Sequence, residues 1–557
     1  MEENLRRAML LARGDPTVFG TTGIMSGEGA LTQGFVREAQ MRREPCRRGH
    51  AGERKRALIV NCYFDETRLP IARTHKIPQA MAPAWLAGAF APERWEVRVY
   101  SELYGGPLED EALLGWPDML VLTGLNTAFD RMLHVTAYAR TRNPRVIVVA
   151  GGPLVRALPA LCARFFDYCC SGDAEQLLDV VRDAFGPGFA AEHLQPRFDL
   201  VPWIGRVGYA ESSRNCNFRC SFCTLTAQRE PYGKYALEDI RRQIVSQGPR
   251  CIVVFLDNNF YGNDRDYFVA RLELLRELTR EKLLRGWAAL VTSDFFLKQE
   301  NLALAKAAGC EALFTGVESF DPAWLRRVKK VQNTGLQPVE LIRGCLEAGI
   351  ALTYGMMFDV GNRRLADLRA ELELITSSAE ITLPSYISVP IPMLGTPFFK
   401  DSLARGALLP NTALRDMDGT TISLQPLDAL PEAARFVREL QQLRGYRGRV
   451  LSHSVRFLGR YRARLNRTQL MIALSGALLL SAPTLATAPS ARGLWAVRAQ
   501  RTHVAGSEAP DAVYRPAFRV DARYERHFRP TMLTDARGRI AEEVCELAQA
   551  KVKRSFG

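Results

Sequence analysis

Short apolar runs separated by gaps of helix length recur along most of this chain, and they constrain its fold more than any other feature. Five runs lie between residues 56 and 170, and six more lie between residues 206 and 390. Continuous apolar runs of this length are typical of strands buried on both faces of a parallel sheet. The gaps are long enough for crossover helices. The sequence therefore predicts two successive α/β domains built from βαβ units.

The first group of runs predicts a doubly wound, Rossmann-like parallel sheet over residues 56–190. Ligands of such sheets bind beyond the carboxyl ends of the strands, and glycines there let the backbone approach a bulky ligand closely. The runs are Ala57–Asn61, Trp95–Tyr100, Met119–Thr123, Arg145–Pro153 and Phe166–Cys170. The candidate ligand-binding residues at their ends are Asn61, Thr123, Gly151, Gly152 and Gly172.

Three cysteines with the spacing C-x3-C-x2-C follow the first run of the second group. They are Cys216, Cys220 and Cys223. Three thiolates can hold three irons of a [4Fe–4S] cluster and leave the fourth iron open, whereas an ordinary electron-transfer cluster takes four cysteines. Three chance core cysteines or a zinc site are the alternatives, but zinc usually takes a fourth Cys or His, and none lies nearby between Tyr209 and Arg250.

The second group of runs predicts six strands over residues 206–400. Six repeats favour an open, partial (β/α)6 barrel over a closed eightfold one. The cysteines follow the first of these strands, at the end of an α/β barrel where active sites are built. The six runs are Arg206–Glu211, Cys251–Leu256, Trp287–Asp294, Ala312–Ser319, Ala351–Phe358 and Ser385–Pro390.

The cysteine motif resembles the signature of the radical S-adenosylmethionine (SAM) superfamily. The resemblance implies that Cys216, Cys220 and Cys223 hold a [4Fe–4S] cluster whose open iron chelates SAM, and that one electron splits SAM to give a 5′-deoxyadenosyl radical. A carboxylate at a strand end can instead be only a helix N-cap. The family pattern also implies SAM-binding roles for Phe222, Asp257, Asn258, Gly316, Glu318 and Ser319.

The first domain resembles the cobalamin-binding domain that precedes many radical SAM domains. The matching segments are Val149–Pro153 and Ser171–Glu175, the second of which contributes Gly172 and Glu175. The motif Asp-x-His-x-x-Gly, which supplies a lower axial imidazole, is absent. Only His75 and His134 occur within residues 56–190, both in the wrong context. The resemblance implies a cobalamin without that ligand, and a domain that has lost the cofactor is the alternative.

The remaining segments complete the predicted domain order. Residues 1–55 form a basic, Gly-rich extension, 191–205 a linker, and 401–557 a mainly helical, capping C-terminal region. The turns at 389–398 and 416–426 resemble those of cobalamin-domain radical SAM enzymes. An uncharged stretch at 468–491 predicts a buried helix over the barrel mouth. Peripheral contact with a membrane is the alternative, and a spanning helix would need ~20 apolar residues.

The two resemblances together imply an enzyme that methylates an unactivated carbon of a small-molecule or lipid natural product. They imply SAM and cobalamin as cofactors and flavodoxin or ferredoxin as electron donor. Radical oxidation, rearrangement or cyclisation without methyl transfer are alternatives. A methylthiotransferase would need three further cluster cysteines. A non-catalytic iron–sulfur or corrinoid sensor is another alternative.

Composition bears on the surroundings of the protein. Twelve cysteines without disulfide-like spacing favour a reducing cytoplasm. The net charge of +14 suits anionic partners, but an arginine-rich genome bias explains it equally well. No nucleic-acid-binding motif accompanies the charge, so we expect no nucleic acid partner.

Overall fold

The computed structural model describes residues 24–25, 54–63, 81–201, 204–228, 230–442, 447–477, 503–506 and 514–546. The chain divides into two compact units. The barrel unit comprises Met1–Glu28, Ile204–Phe398 and Pro426–Thr487, and the sheet unit comprises Gly29–Trp203, Phe399–Gln425 and Ala488–Gly557. The C-terminal region expected at 401–557 is thus shared between both units.

The sheet unit contains the five predicted strands, all parallel, in the order β2-β1-β3-β4-β5. This is a doubly wound order whose switch point lies between β1 and β3. The strands are β1 (Lys55–Asn61), β2 (Trp95–Ser101), β3 (Met119–Thr123), β4 (Ile147–Gly151) and β5 (Tyr168–Cys170). The helices are α1 (Ala82–Ala87), α2 (Glu102–Gly105), α3 (Glu111–Gly115), α4 (Phe129–Arg142), α5 (Pro153–Ala157), α6 (Pro159–Cys162) and α7 (Gln176–Phe185).

Apolar strand residues build the core of this unit. Ile59 and Val121 on neighbouring strands are buried in one cluster with Val181 of α7. Trp95 is almost fully buried, and its ring meets those of Phe90 and Phe185 edge to face. Burial on both faces explains why these strands are continuous apolar runs in the sequence.

The C-terminal segment 514–546 packs on α4 of the same unit. Asp130 on α4 is buried and accepts hydrogen bonds from the Tyr514 hydroxyl at 3.0 Å and the Thr531 hydroxyl at 2.6 Å. Glu546 accepts the backbone N–H groups of Ala160 and Leu161 at the start of α6. These contacts join segments nearly 400 residues apart, which no local sequence pattern reveals.

The barrel unit contains six parallel strands in the sequential order β13-β12-β11-β10-β9-β6, the predicted open (β/α)6 arrangement. A small sheet joins Ile24–Met25 to β8 and β7. The strands are β6 (Val207–Ala210), β7 (Ser213–Arg214), β8 (Gly233–Tyr235), β9 (Ile252–Phe255), β10 (Trp287–Leu290), β11 (Cys310–Glu318), β12 (Ala351–Met357) and β13 (Tyr386–Ser388).

Helices alternate with these strands as a crossover topology requires. The crossover helices Leu237–Ser246, Arg265–Arg280 and Pro338–Glu347 bury apolar side chains. The helices that follow β7 along the chain are α8 (Thr224–Gln228), α9 (Leu237–Ser246), α10 (Arg265–Arg280), α11 (Gln299–Ala307), α12 (Pro322–Arg327), α13 (Pro338–Glu347), α14 (Leu365–Ser377), α15 (Pro397–Ala404), α16 (Leu430–Gln442), α17 (Arg447–Tyr461) and α18 (Arg467–Ala473).

The described part of the uncharged C-terminal stretch lies at the end of the barrel opposite to the one we expected. Gln469 of α18 donates a hydrogen bond to the Gly349 carbonyl, which precedes β12, and Asn466 bonds Glu311 at the start of β11. The helix therefore packs at the amino ends of the strands, where the Gly349 carbonyl and the Glu311 carboxylate accept hydrogen bonds from Gln469 and from Asn466, its N-cap. Residues 478–491 lie outside the described part. Among the described residues, no helix is long and apolar enough to cross a bilayer.

Candidate functional site

The cysteine loop, residues 216–223, leaves the carboxyl end of the first barrel strand as predicted. Residue Asn215, just before it, has a left-handed backbone with φ 63°, which reverses the chain after β7. Ser221 is buried inside the loop and donates both its backbone N–H and its hydroxyl to the Val328 carbonyl, at 2.9 and 3.0 Å. The Phe398 N–H in turn donates to the Ser221 carbonyl. The loop is therefore held by two later segments of the barrel unit.

The three cysteine side chains share one environment. Cys220 is buried, while Cys216 and Cys223 are half-buried. Burial raises the pKa of the Cys216 thiol to about 12, the neighbouring Cys220 and Cys223 add to this, and Lys330 opposes it. No group of His, Cys, Asp or Glu that could hold a metal ion is found among the described residues. Thiolates of a [4Fe–4S] cluster bind different irons and so need not converge on one point.

A segment at 321–334, which no sequence pattern marks out, contacts the cysteine loop. The side-chain amide of Gln332 donates a hydrogen bond to the Cys220 sulfur at 3.4 Å. The Lys330 ammonium lies 5.8 Å from the centre of the Phe222 ring, and it is buried and pairs with the Glu318 carboxylate at 2.6 Å. Two polar groups of one segment thus face the loop.

Glu318 ends the fourth barrel strand in a strained conformation. Its φ is 66°, in a region that costs a non-glycine residue about 1–3 kcal/mol, and the register with β12 shifts there. Gly316 leaves room for the pair, because a Cβ at this position would collide with the Glu318 carboxylate and the Lys330 ammonium. The predicted residues Gly316 and Glu318 therefore form one arrangement with Lys330.

Asp257 follows the second barrel strand, and its carboxylate is hydrogen-bonded to the chain that leads into the cysteine loop. It is completely buried and accepts hydrogen bonds from the Ser212 N–H at 3.0 Å, the Ser212 hydroxyl at 2.7 Å and the Ser213 hydroxyl. Burial raises its pKa, which the nearby Arg271 guanidinium and these hydrogen bonds partly offset. Through these hydrogen bonds Asp257 positions the chain that enters the cysteine loop.

The other residues that were predicted to bind SAM differ in how far their side chains are exposed to a ligand. Asn258 is exposed beside Asp257, and Phe222 is half-buried against Trp324 and Val328. Ser319 is fully buried, donates to Glu371 at 2.8 Å and accepts from Arg363 at 2.9 Å. Ser319 is thus taken up in a buried ion-pair network, while Asn258 is open to a ligand.

In the sheet unit, the predicted residues meet along the carboxyl edge of the strands. Asn61, Thr123 and Gly151 are direct partners in the strand register, and Cys170 completes their row. This row crosses the switch point between β1 and β3, where ligands of doubly wound sheets bind. Gly152 follows in a left-handed conformation with φ 114°.

Gly172 and Glu175 lie together at the start of α7. The Gly172 N–H donates to the Gln176 side chain at 2.8 Å, and Glu175 is half-buried. They thus stand beyond β5, next to the row of strand ends.

His134 has a place that does not suit a lower axial ligand. Its ring stacks on Phe528 at 4.8 Å and meets the Tyr514 ring at 4.9 Å. Burial holds the pKa of its imidazole well below the usual value. The imidazole therefore serves the packing of the C-terminal segment, and His75 lies outside the described residues.

Each of the two units contains a segment that matches the model of a known protein family. Residues 211–363 match the family model of the radical SAM superfamily, and residues 72–182 match that of the B12 binding domain. The fold resembles the cobalamin-dependent SAM radical enzyme OxsB, solved with aqua-cobalamin and SAM bound, with a TM-score of 0.52 and 16% identity over 72% of this chain and 68% of that one. The chain therefore carries a region that matches a radical SAM domain, preceded by a region that matches a B12 binding domain.

Two named methylases are among its curated relatives. The hopanoid C-2 methylase of Rhodopseudomonas palustris is 26% identical over 300 residues, 48% of this chain and 54% of that protein. The bacteriochlorophyllide d C-12(1)-methyltransferase of Chlorobaculum tepidum is 27% identical over 219 residues, 38% of this chain and 44% of that protein. The chain thus spans about half the length of these relatives.

Proposed function

We propose that this protein is a cobalamin-dependent radical SAM enzyme that methylates an unactivated carbon. The observation that carries the proposal is the cysteine loop at the carboxyl end of the first strand of an open six-stranded barrel. Cys216, Cys220 and Cys223 would hold a [4Fe–4S] cluster, and the loop suits this group because it offers three thiols in a chain segment fixed from both sides. When bound, the cluster supplies the electron that splits SAM.

The protein's own part is to bind and orient. Asn258 and the Gly316–Glu318 strand end would hold SAM, while Asp257 fixes the chain that enters the loop. The row of Asn61, Thr123 and Gly151 would hold a corrinoid, which supplies the methyl group when bound. The row fits a broad ligand, because small and polar side chains stand side by side there. Positioning and exclusion of water are what a protein contributes to such cofactor chemistry.

By their names, the two relatives methylate a hopanoid and a bacteriochlorophyllide. This supports a small-molecule or lipid substrate here. We also propose that the protein is cytoplasmic and that a flavodoxin or ferredoxin reduces it. Where the substrate is a lipid, the protein would contact the membrane peripherally. Binding of the purified protein to anionic vesicles tests that contact.

The decisive experiment uses full-length protein, purified and reconstituted without oxygen and supplied with hydroxocobalamin. About four irons and one cobalt per chain, and 5′-deoxyadenosine or S-adenosylhomocysteine formed from SAM after reduction, are expected. The Cys220→Ala variant should lose iron and turnover. Wild-type protein that binds no iron, or a Cys220→Ala variant that cleaves SAM at the normal rate, would contradict the proposal. With substrate in hand, product mass separates methylation from oxidation.

A further inference from the structure

The 321–334 segment contacts the cysteine loop at three points, all inside the barrel unit. The Val328 carbonyl accepts both donors of Ser221, the Gln332 amide donates to the Cys220 sulfur, and the Lys330 ammonium lies over the Phe222 ring. Lys330 and Gln332 are both more than nine-tenths buried. A buried contact between one amide and one sulfur, 112 residues apart, is a specific feature of this fold.

Two of these contacts, those of Gln332 and Lys330, act on the charge of a cysteine sulfur. A hydrogen bond to a thiolate withdraws electron density from it, and a nearby cation stabilises negative charge. Inside a protein such interactions are stronger than in water, because little solvent screens them. Reduction of a [4Fe–4S] cluster adds one negative charge, so donors and cations beside its ligands favour the reduced form.

We propose that Gln332 and Lys330 are positioning residues that raise the reduction potential of a cluster held by Cys216, Cys220 and Cys223. Gln332 does so through its hydrogen bond to the Cys220 sulfur, and Lys330 through its buried positive charge. The inference rests on the proposed function, since it requires the cluster. It adds a role for a segment that lies outside the cysteine motif.

The Glu318 partner does not cancel this effect. Its carboxylate accepts from the Lys330 ammonium and fixes the position of the cation, whose other neighbour is the aromatic ring of Phe222 in the loop. Both Cys220 and Cys223 interact electrostatically with the ammonium. The segment thus places a cation next to two of the three cysteines, with its counter-ion on the strand end.

The experiment is a redox titration of anaerobically reconstituted full-length protein. Dithionite supplies the single electron, mediators set the solution potential, and electron paramagnetic resonance reports the reduced cluster. Iron content is measured first in every sample. For Gln332→Leu we expect the ratio of reduced to oxidised cluster at a fixed potential to fall about threefold to tenfold. This corresponds to a midpoint lower by about 30–60 mV, at 59 mV per tenfold for one electron.

Lys330 variants separate charge from packing. Lys330→Gln should lower the ratio at least as much as Gln332→Leu, whereas Lys330→Arg keeps the charge and should restore most of the wild-type value. Lys329 is the matched control, because it is adjacent in the chain but exposed. Lys329→Gln removes a positive charge that is exposed to solvent and screened by water, so the midpoint potential should stay at the wild-type value.

Failure of the inference is distinguishable from failure of the proposed function. Wild-type protein that takes up no four-iron cluster would overturn the function itself. Fully loaded Gln332→Leu and Lys330→Gln variants with the wild-type midpoint would overturn the inference alone. Should Gln332→Leu not load, Gln332→Asn is the second variant, because it keeps the amide but shortens its reach. A wild-type midpoint in that variant also overturns the role of Gln332.

Discussion

The Lys330 ammonium and the Glu318 carboxylate form an ion pair with a separation of 2.6 Å inside the barrel unit. Both side chains are about nine-tenths buried. Removing one member of a buried pair leaves the other charge without compensation, which typically costs 3–5 kcal/mol. The pair thus supports the strained end of β11 as well as the cysteine loop.

Lys330→Met and Glu318→Gln should each lower the free energy of unfolding of the cluster-free protein, by about 3–5 kcal/mol for the lysine variant. The double variant should lose less than the sum of the two single losses, because it removes both charges and leaves no lone charge buried. Denaturant unfolding of the three variants measures this coupling. Arg241→Met breaks an exposed pair with Glu281 and should change the stability little. Additive losses in the double variant would show that the pair is not coupled.

Asp257 and Asn258 are neighbours with opposite expected roles. Asp257→Asn should destabilise the protein by about 1–3 kcal/mol and reduce iron uptake, because the Ser212 and Ser213 donors lose their carboxylate. Asn258→Ala removes an exposed side chain and should leave unfolding unchanged while weakening SAM binding. Thermal unfolding, iron content and SAM titration of both variants provide the measurement. Wild-type SAM affinity in Asn258→Ala would remove that residue from the binding site.

The sequence predicted the parts of this site that depend on local patterns, and it missed the parts that depend on contacts between residues far apart in the chain. The cysteine loop and the strand ends depend on local spacing and on apolar runs, and both were predicted at the observed positions. Gln332 was not, because its partner Cys220 is 112 residues away and neither residue belongs to a repeating pattern. The use of Asp257 as a buried acceptor also depends on Ser212, whose orientation the sequence does not reveal. The same limit applies to α18, whose polar contacts with Gly349 decide which end of the barrel it covers.

Asp130 should matter for the attachment of the C-terminal segment to α4. Asp130→Ala leaves the buried Tyr514 and Thr531 hydroxyls without their acceptor, at a cost of about 1–3 kcal/mol for each unsatisfied group. Thr531→Val removes a single donor and should cost less. Limited proteolysis and thermal unfolding measure the loss, with the exposed Glu192→Gln as control. Unchanged protease resistance in Asp130→Ala would contradict a holding role.

The same segment gives the protein a dependence on pH. Burial, with the nearby Arg140, lowers the pKa of His527 from 6.5 to about 4. Between these two pH values His527 binds a proton in the unfolded chain but not in the folded protein. The contribution of the neutral His527 to the free energy of unfolding is therefore complete above pH 6.5 and is lost as the pH falls toward 4. The shift corresponds to roughly 3 kcal/mol at most.

The measurement compares thermal unfolding between pH 7.5 and pH 5 in wild type and in His527→Phe, which keeps the aromatic contact with Phe165. The variant should lose less stability than the wild type across this range. Other groups, including the buried Asp130 with its raised pKa, titrate in both proteins and cancel in the comparison. Parallel curves for the two proteins would rule out His527 as the source.

Gly151 and Gly152 offer a matched pair for testing the corrinoid site. A Cβ at Gly151 would meet nothing closer than the Cys170 side chain at 3.7 Å, so Gly151→Ala should fold normally. At Gly152, φ is 114° and a Cβ would lie 2.8 Å from the Gly124 carbonyl, so Gly152→Ala should lower the unfolding temperature.

Because Gly151 belongs to the row of strand ends, its new methyl group would project where a closely packed ligand needs room. We expect Gly151→Ala to weaken corrinoid binding about tenfold, as overpacking does, with an unchanged unfolding temperature. Spectroscopic titration with hydroxocobalamin and thermal unfolding of both variants separate the two effects. If Gly151→Ala binds the corrinoid as tightly as wild type, the corrinoid site does not lie at the end of β4. The fold tolerates the added methyl group, so weaker binding could come only from contact between that group and the ligand.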